Sequence, residues 1–236
     1  MVEAIFEARE YVDARGARLP YRLAQPAAVE PGVAYPLVIF LHGAGERGVD
    51  NRHQCVHGLP AMAGEEFRRR RPCYILAPQC PPESKWVDVA WADDRHAMTP
   101  EPAVPLRQTL ETVAQLRAEL PIDPRRIYAT GLSMGGYGAW DLAQRFPELL
   151  AAAVPICGGG DETLAPRLVG LPVWAFHGGD DDVVKPVRSQ RMVAALRAAG
   201  GTPAYTEYEG VGHDAWTATY ENRLLWDWLF AQRRAP

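Results

Sequence analysis

The sequence predicts an α/β fold: a mostly parallel central sheet with helices on both faces and an antiparallel edge at the N-terminus. Three observations carry this expectation. Five short runs, "PLVIFLHG", "CYILAPQ", "RIYATGLS", "AAAVPICGG" and "LPVWAFHGG", are almost continuously apolar, as strands covered on both faces are. Between them lie segments whose apolar residues recur every three or four positions, the period of a helix with one buried stripe. The first forty residues instead mix apolar and polar side chains, as edge strands do. Strand alternating with helix favours a doubly wound sheet, whose ligands sit beyond the carboxyl ends of the strands.

Taken in order, "AIFEAREYVDARGARLPYRLAQP" reads as two edge strands joined by a turn at "DARG", since Asp and Gly supply turn geometry. "EEFRRRRP" (Glu65 to Pro72) reads as a solvated helix end, its basic run preceded by two glutamates. In "VPLRQTLETVAQLRAEL", Leu106, Leu110, Val113, Leu116 and Leu120 form one apolar stripe. "PVRSQRMVAALRAAGG" is a second helix with glycines past its end. "PAYTEYEG" reads as a last strand and "ATYENRLLWDWLFAQ" as a single closing helix. No repeat, low-complexity tract or linker interrupts the chain, and its 236 residues suit one domain, 1–236.

Composition excludes several classes. A net charge of −4 gives no bias toward nucleic acid. No apolar run approaches the roughly 20 residues that span a bilayer. "MVEAIFEARE" is acidic where a secretory signal is basic, so a cytoplasmic location is expected. Four cysteines, Cys55, Cys73, Cys80 and Cys157, are too few for a disulfide framework and are expected as free thiols.

The stretch "IYATGLSMGGYGAW" holds the chemistry. It places Ser133 in G-x-S-x-G between a strand and a helix. A strand that reverses sharply into a helix leaves no room for side chains two positions either side of the serine, and it forces the serine into a strained conformation that exposes its oxygen. A serine hydroxyl needs a base. Of six histidines, His213 in "YEGVGHDAW" stands on a glycine-rich loop after the last strand. The base in turn needs a carboxylate to hold its tautomer, and "FHGGDDDVVKP" offers Asp180, Asp181 and Asp182, among which spacing does not choose. His42 is expected to shape its own loop by hydrogen bonding. His177 precedes the acids on the same loop and is expected to be too close along the chain to turn back on them.

Attack on an ester carbonyl creates an oxyanion, for which two backbone N–H groups are expected. One belongs to Met134, directly after the nucleophile. The other belongs to the "HGAGERG" loop, Ala44 ahead of Gly43. That loop lacks the Lys-Ser/Thr ending of a P-loop and the spacing of a dinucleotide site. "HQCVH" places His53, Cys55 and His57 at alternate positions, and His96 lies further on. With no C-x-x-C or H-E-x-x-H pattern, no metal is expected. Trp86, Trp91 and Tyr137 are candidates for cleft or core, and "PPESKWVDVAWADDRHAM" is a long irregular segment of the kind that often carries function. Glu46 and Arg47 beside the hole either orient a polar substrate or pair with each other. Cys157 reads as a small buried apolar residue.

Together "LHGAGERG", "GLSMGGYGAW", "FHGGDDDVVKP" and "YEGVGHDAW" resemble the phospholipase/carboxylesterase branch of the α/β-hydrolases, in particular bacterial members described as predicted peptidases or carboxylesterases. "VDNRHQCVHGLP", "LAPQCP" and "VPICGGGD" share the likeness, which extends from Pro36 onward. The resemblance implies an α/β-hydrolase fold, a Ser-Asp-His triad and no cofactor. Its H-G-x-x-D-x-V-V setting selects Asp181 among the three aspartates. The implied activity is cleavage of small carboxylic esters through an acyl-enzyme, rising with pH as the base loses its proton. A peptidase or amidase with the same triad, or a binding protein on the same scaffold, are the alternatives.

Overall fold

The computed structural model describes residues 2–91 and 93–235. After a short turn of helix, α1 (Val2–Ile5), the chain forms the hairpin β1 (Phe6–Val12) and β2 (Arg18–Ala24). The turn is the expected one: Asp13 Oδ1 accepts the N–H groups of Arg15 and Ala17, each at 2.9 Å. Next come β3 (Tyr35–Leu41), the short helices α2 (Leu59–Ala63) and α3 (Glu65–Arg70), and β4 (Tyr74–Pro78). Helix α4 (Val104–Glu119) leads to β5 (Ile122–Leu132), and α5 (Met134–Arg145) to β6 (Ala152–Ile156). The chain ends with β7 (Trp174–Gly178), α6 (Val187–Ala198), β8 (Ala204–Tyr208), α7 (Trp216–Glu221) and α8 (Arg223–Ala231).

The strands form one eight-stranded sheet in the order β1-β2-β4-β3-β5-β6-β7-β8. Pairing is antiparallel at β1/β2 and β2/β4 and parallel everywhere else. The reason lies in the side chains. Every residue of β3, β4 and β6 is buried, which only a strand covered on both faces allows. One face packs Leu106, Val113 and Leu116 of α4, Tyr137 and Trp140 of α5, and Met192 and Leu196 of α6. The other packs Leu59 and Met62 of α2, Phe67 of α3, and Leu225, Trp226 and Leu229 of α8. Burying one such side chain contributes about 1.5–3 kcal/mol, so both layers are held firmly.

Two expectations change, and a third holds with a qualification. The closing helix is two helices: Asn222 breaks it with extended backbone and caps α8 by accepting Leu224 N–H at 3.0 Å. The basic run at the end of α3 is not wholly solvated, because Arg71 is buried over the Phe67 ring and ion-paired with Asp227. As expected, the segment after β4 forms no regular element among the described residues (Ala92 lies outside them). It is nonetheless tied down: Trp86 is fully buried, Met98 N–H donates to Asp161 at 2.8 Å, and Arg145 donates to the Thr99 carbonyl at 2.7 Å.

From β3 the chain crosses to β4 on one side, and from β4 it returns to β5 on the other. The point between β3 and β5 is therefore a topological switch point, where loops diverge and leave a crevice at the carboxyl end. Ser133 and the His42–Ala44 loop both stand there.

Candidate active site

Ser133 follows the last residue of β5 and caps α5, with φ 53° and ψ −117°. A non-glycine residue rarely holds positive φ, and doing so costs on the order of 1–3 kcal/mol. The surrounding bonds enforce it: Ser133 N–H donates to the Ile156 carbonyl at 2.9 Å, and the Ser133 carbonyl accepts from Gly136 and Tyr137. Gly135 completes the turn. A Cβ there would run into the backbone carbonyl of Leu41, so glycine lets α5 lie directly against the end of β3.

The expected partners converge on this serine. His213 Nε2 is 2.9 Å from Ser133 Oγ, and its Nδ1 is 2.7 Å from Asp181 Oδ2. The His213 loop comes this close because Gly178 has no side chain; a Cβ there would overlap the carbonyls of Val211 and Gly212. His213 keeps 19% of its side chain exposed while the Asp181 side chain is fully buried. Of the three adjacent aspartates, Asp180 and Asp182 lie outside this chain of contacts.

Asp181 is held ionised. Burial alone would raise its pKa, but hydrogen bonds from His177 and His213 and from Val184 N–H outweigh it and hold the carboxyl well below the usual range. Its Oδ1 accepts the N–H groups of Val183 and Val184 at 3.0 and 2.9 Å. Here the sequence reading fails. His177, expected to be unable to meet the acid, lies 3.3 Å from Asp181 Oδ2 through its Nε2. The turn at Gly178–Asp180 folds back within four residues, Asp181 N–H donating to the Gly178 carbonyl at 3.3 Å. The other nitrogen of His177 meets Ser189 Oγ at 2.7 Å, so α6 braces the acid as well.

The loop after β3 is held by its own hydrogen bonds, His42 among them. Ala44 opens a 3₁₀ turn (Ala44–Glu46) and Met134 opens α5. First-turn N–H groups have no acceptor within their own helix; that of Met134 is next in the chain to Ser133, and that of Ala44 follows Gly43 just past the end of β3. The approach is tight: an added Cβ at Gly43 would lie 3.7 Å from the Ser133 Cβ. His42 fixes the loop. Its Nδ1 donates to the Gly43 carbonyl at 2.6 Å and its Nε2 accepts Cys80 N–H at 2.9 Å, while its own carbonyl accepts from Trp86 Nε1 at 2.9 Å. Burial pushes its pKa down to about 4, so the ring is neutral.

Glu46 and Arg47 do not pair. Arg47 donates to the Ala44 carbonyl at 2.9 Å, and Glu46 Oε2 is buried without a hydrogen-bond partner among the described residues. Leaving a buried acceptor unmet costs on the order of 1–3 kcal/mol. Trp86 and Tyr137 are buried and Trp91 is partly buried. His53, Cys55 and His57 do not converge: His53 pairs with Asp50, Cys55 is buried, and His57 faces Trp216. Cys157 is buried but not inert in position, since its Sγ donates to the His213 carbonyl at 3.3 Å. With Asp181 and His213 it makes a cluster whose possible ligand atoms lie within 4.8 Å of one another. Burial pushes that thiol up to about 12, which disfavours the thiolate a metal would need.

Among known proteins, the model of the Dienelactone hydrolase family matches residues 89–223. The chain belongs to this family. A thermostable esterase of known structure is 44% identical over 99% of this chain, with a TM-score of 0.92. The fold is accordingly the α/β-hydrolase fold expected from the motifs. This chain spans 64% of that esterase's length. A probable carboxylesterase of Oryza sativa subsp. japonica is 27% identical over 194 residues, 76% of this chain and 81% of that protein. Poly(3-hydroxyalkanoate) depolymerase C of Paucimonas lemoignei is 41% identical over 49 residues, 21% of this chain and only 12% of the depolymerase. An acylaminoacyl peptidase of Pyrococcus horikoshii, at 15% identity and a TM-score of 0.71, shares the fold alone.

Proposed function

We propose that the chain is a carboxylesterase, with Ser133 as nucleophile, His213 as general base and acid, and Asp181 as the group that orients His213. One observation supports this reading above the others: an oxygen, an imidazole and a buried carboxylate from three separate loops stand in line at 2.9 and 2.7 Å.

In the proposed reaction Ser133 Oγ attacks the ester carbonyl carbon as its proton passes to His213 Nε2. Asp181 holds the Nδ1–H and offsets the positive charge on the ring. The carbonyl oxygen becomes an oxyanion, held by the N–H groups of Ala44 and Met134 at about 3–4 kcal/mol each. The intermediate collapses, His213 returns the proton to the departing alcohol, and an acyl-enzyme remains. Water then repeats the sequence and releases the acid. No step calls on a cofactor or metal.

The substrate is a small-molecule ester, with no nucleic acid or membrane in the reaction, and residues 1–236 act as one domain. A cytoplasmic site of action is compatible with four buried, unpaired thiols, since disulfides are rare there. Among the described residues no helix is long and apolar enough to cross a membrane.

The test is turnover of an ester series of increasing acyl length by wild type and Ser133→Ala. The variant should retain its fold and lose at least about 10⁴-fold in rate; undiminished turnover would end the proposal. An amide panel run beside it separates an esterase from an amidase, and labelling by a fluorophosphonate separates either from a binding protein.

A further inference from the structure

Three side chains at the edge of the site have no part in the reaction above. Glu46 closes the 3₁₀ turn that begins with Ala44. Its side chain is 13% exposed, and its Oε2 has no hydrogen-bond partner among the described residues. It lies against Gly43, next to the nucleophile's turn: an added Cβ there would lie 2.8 Å from Glu46 Oε2 and 3.7 Å from Ser133 Cβ. His57 Nε2 is 3.8 Å from Glu46 Oε1, outside hydrogen-bond reach. The His57 ring lies 5.7 Å from that of Trp216, which meets the His213 ring edge-on at 5.0 Å. Trp216 Nε1 is also buried without a partner. The group is thus continuous from the oxyanion loop round to the base.

A carboxylate beside a developing oxyanion opposes catalysis, because like charges at this range repel strongly where water is scarce. A donor carried by the substrate removes that opposition. The unmet groups also specify the donor. Glu46 Oε2 can only accept and Trp216 Nε1 can only donate. Hydroxyl groups can satisfy both, one donating to the carboxylate and another accepting from the indole, whereas an ammonium leaves the indole N–H unmet and an anion leaves the carboxylate unmet. The side of the site follows from the proton: His213 delivers it to the departing oxygen, so the alcohol leaves past His213 and Trp216.

We infer that Glu46, His57 and Trp216 form a subsite for the alcohol part of the ester, and that this alcohol is hydroxyl-bearing, of the polyol or saccharide class. The inference rests on the esterase reading. Glu46 accepts from one hydroxyl and Trp216 donates to another, with His57 between them, and the indole face gives the carbon skeleton an apolar floor.

The experiment measures kcat/KM for glycerol monoacetate, n-propyl acetate and acetylcholine in wild type, Trp216→Phe and Glu46→Ala. Each rate is normalised to active sites counted by fluorophosphonate titration, so misfolded protein drops out. The readout is the ratio of the glycerol ester to the propyl ester, in which intrinsic reactivity cancels between proteins. We expect that ratio to fall about 10-fold in each variant, the effect of one hydrogen bond. An unchanged ratio overturns the inference, as does a selective loss on acetylcholine in Glu46→Ala, which would mark a cation site. If wild type neither takes up the probe nor turns over any ester, the esterase reading falls first and this inference with it.

Discussion

Moving the protein from pH 7.5 to pH 5 should weaken it by about 2 kcal/mol through one buried ring. His42 is 1% exposed and both of its nitrogens are committed, one donating to Gly43 and one accepting from Cys80. A second proton on Nε2 would point at the Cys80 N–H, donor against donor. Burial accordingly takes the ring from the ordinary 6.5 down to about 4. In the unfolded chain the ring binds a proton below pH 6.5, while in the fold it stays neutral until about pH 4. The unfolded state therefore holds more protons in that window, and stability falls as pH drops from 6.5 to 4. The full depression is worth about 3 kcal/mol, of which about 2 are lost by pH 5. Urea unfolding followed by tryptophan fluorescence at pH 7.5, 6 and 5 measures it, in wild type and in His42→Gln, whose amide can both donate and accept. The variant should be weaker at pH 7.5 but have a flatter pH dependence. Equal slopes in the two proteins would refute the reasoning, whatever their absolute stabilities.

Other outcomes follow from the same geometry. Asp181→Asn should lower kcat by about 10⁴-fold, read with p-nitrophenyl acetate, because an amide no longer holds the working tautomer of His213. The same variant should be less sensitive to acid than wild type below about pH 4: the Asp181 carboxyl is depressed in the fold, so its stabilisation is present above the ordinary carboxyl range and vanishes as pH falls through the folded value. Gly135→Ala should lose more than about 3 kcal/mol of stability or fail to fold, since its methyl group meets the Leu41 backbone rather than a movable side chain; a near-neutral melting temperature would contradict the packing described. Reductant should leave the melting temperature unchanged, and a thiol reagent should find the buried cysteines only after denaturation.

Much of this architecture is legible in the chain because it is written in short-range patterns. The continuous apolar runs announce buried parallel strands, and the mixed pattern before Pro36 announces the hairpin edge. Ser133 stands out because its turn excludes side chains at fixed offsets. His213 and Asp181 are harder to see, since nothing local says that loops 32 and 80 residues apart meet; motif resemblance supplies what spacing does not. The failures share a cause. His177 meets Asp181 because a turn of three residues reverses the chain, and no periodicity encodes that reversal. Asn222 sits inside an apolar pattern that continues through it, so the break shows only in its capping bond to Leu224. Arg71 looks like part of a charged run, yet it is buried by partners far along the chain. Likewise the unmet oxygen of Glu46 emerges only when its whole neighbourhood is in place.

Two neighbouring strands, β5 and β6, are each followed directly by a residue other than glycine with positive φ, Ser133 at 53° and Cys157 at 49°. Each stores on the order of 1–3 kcal/mol that the packed sheet beneath must restrain. Warming that sheet loosens the restraint before it dissolves the fold. Catalytic competence should therefore fade over a lower temperature range than global melting, and cooling a briefly heated sample should bring it back.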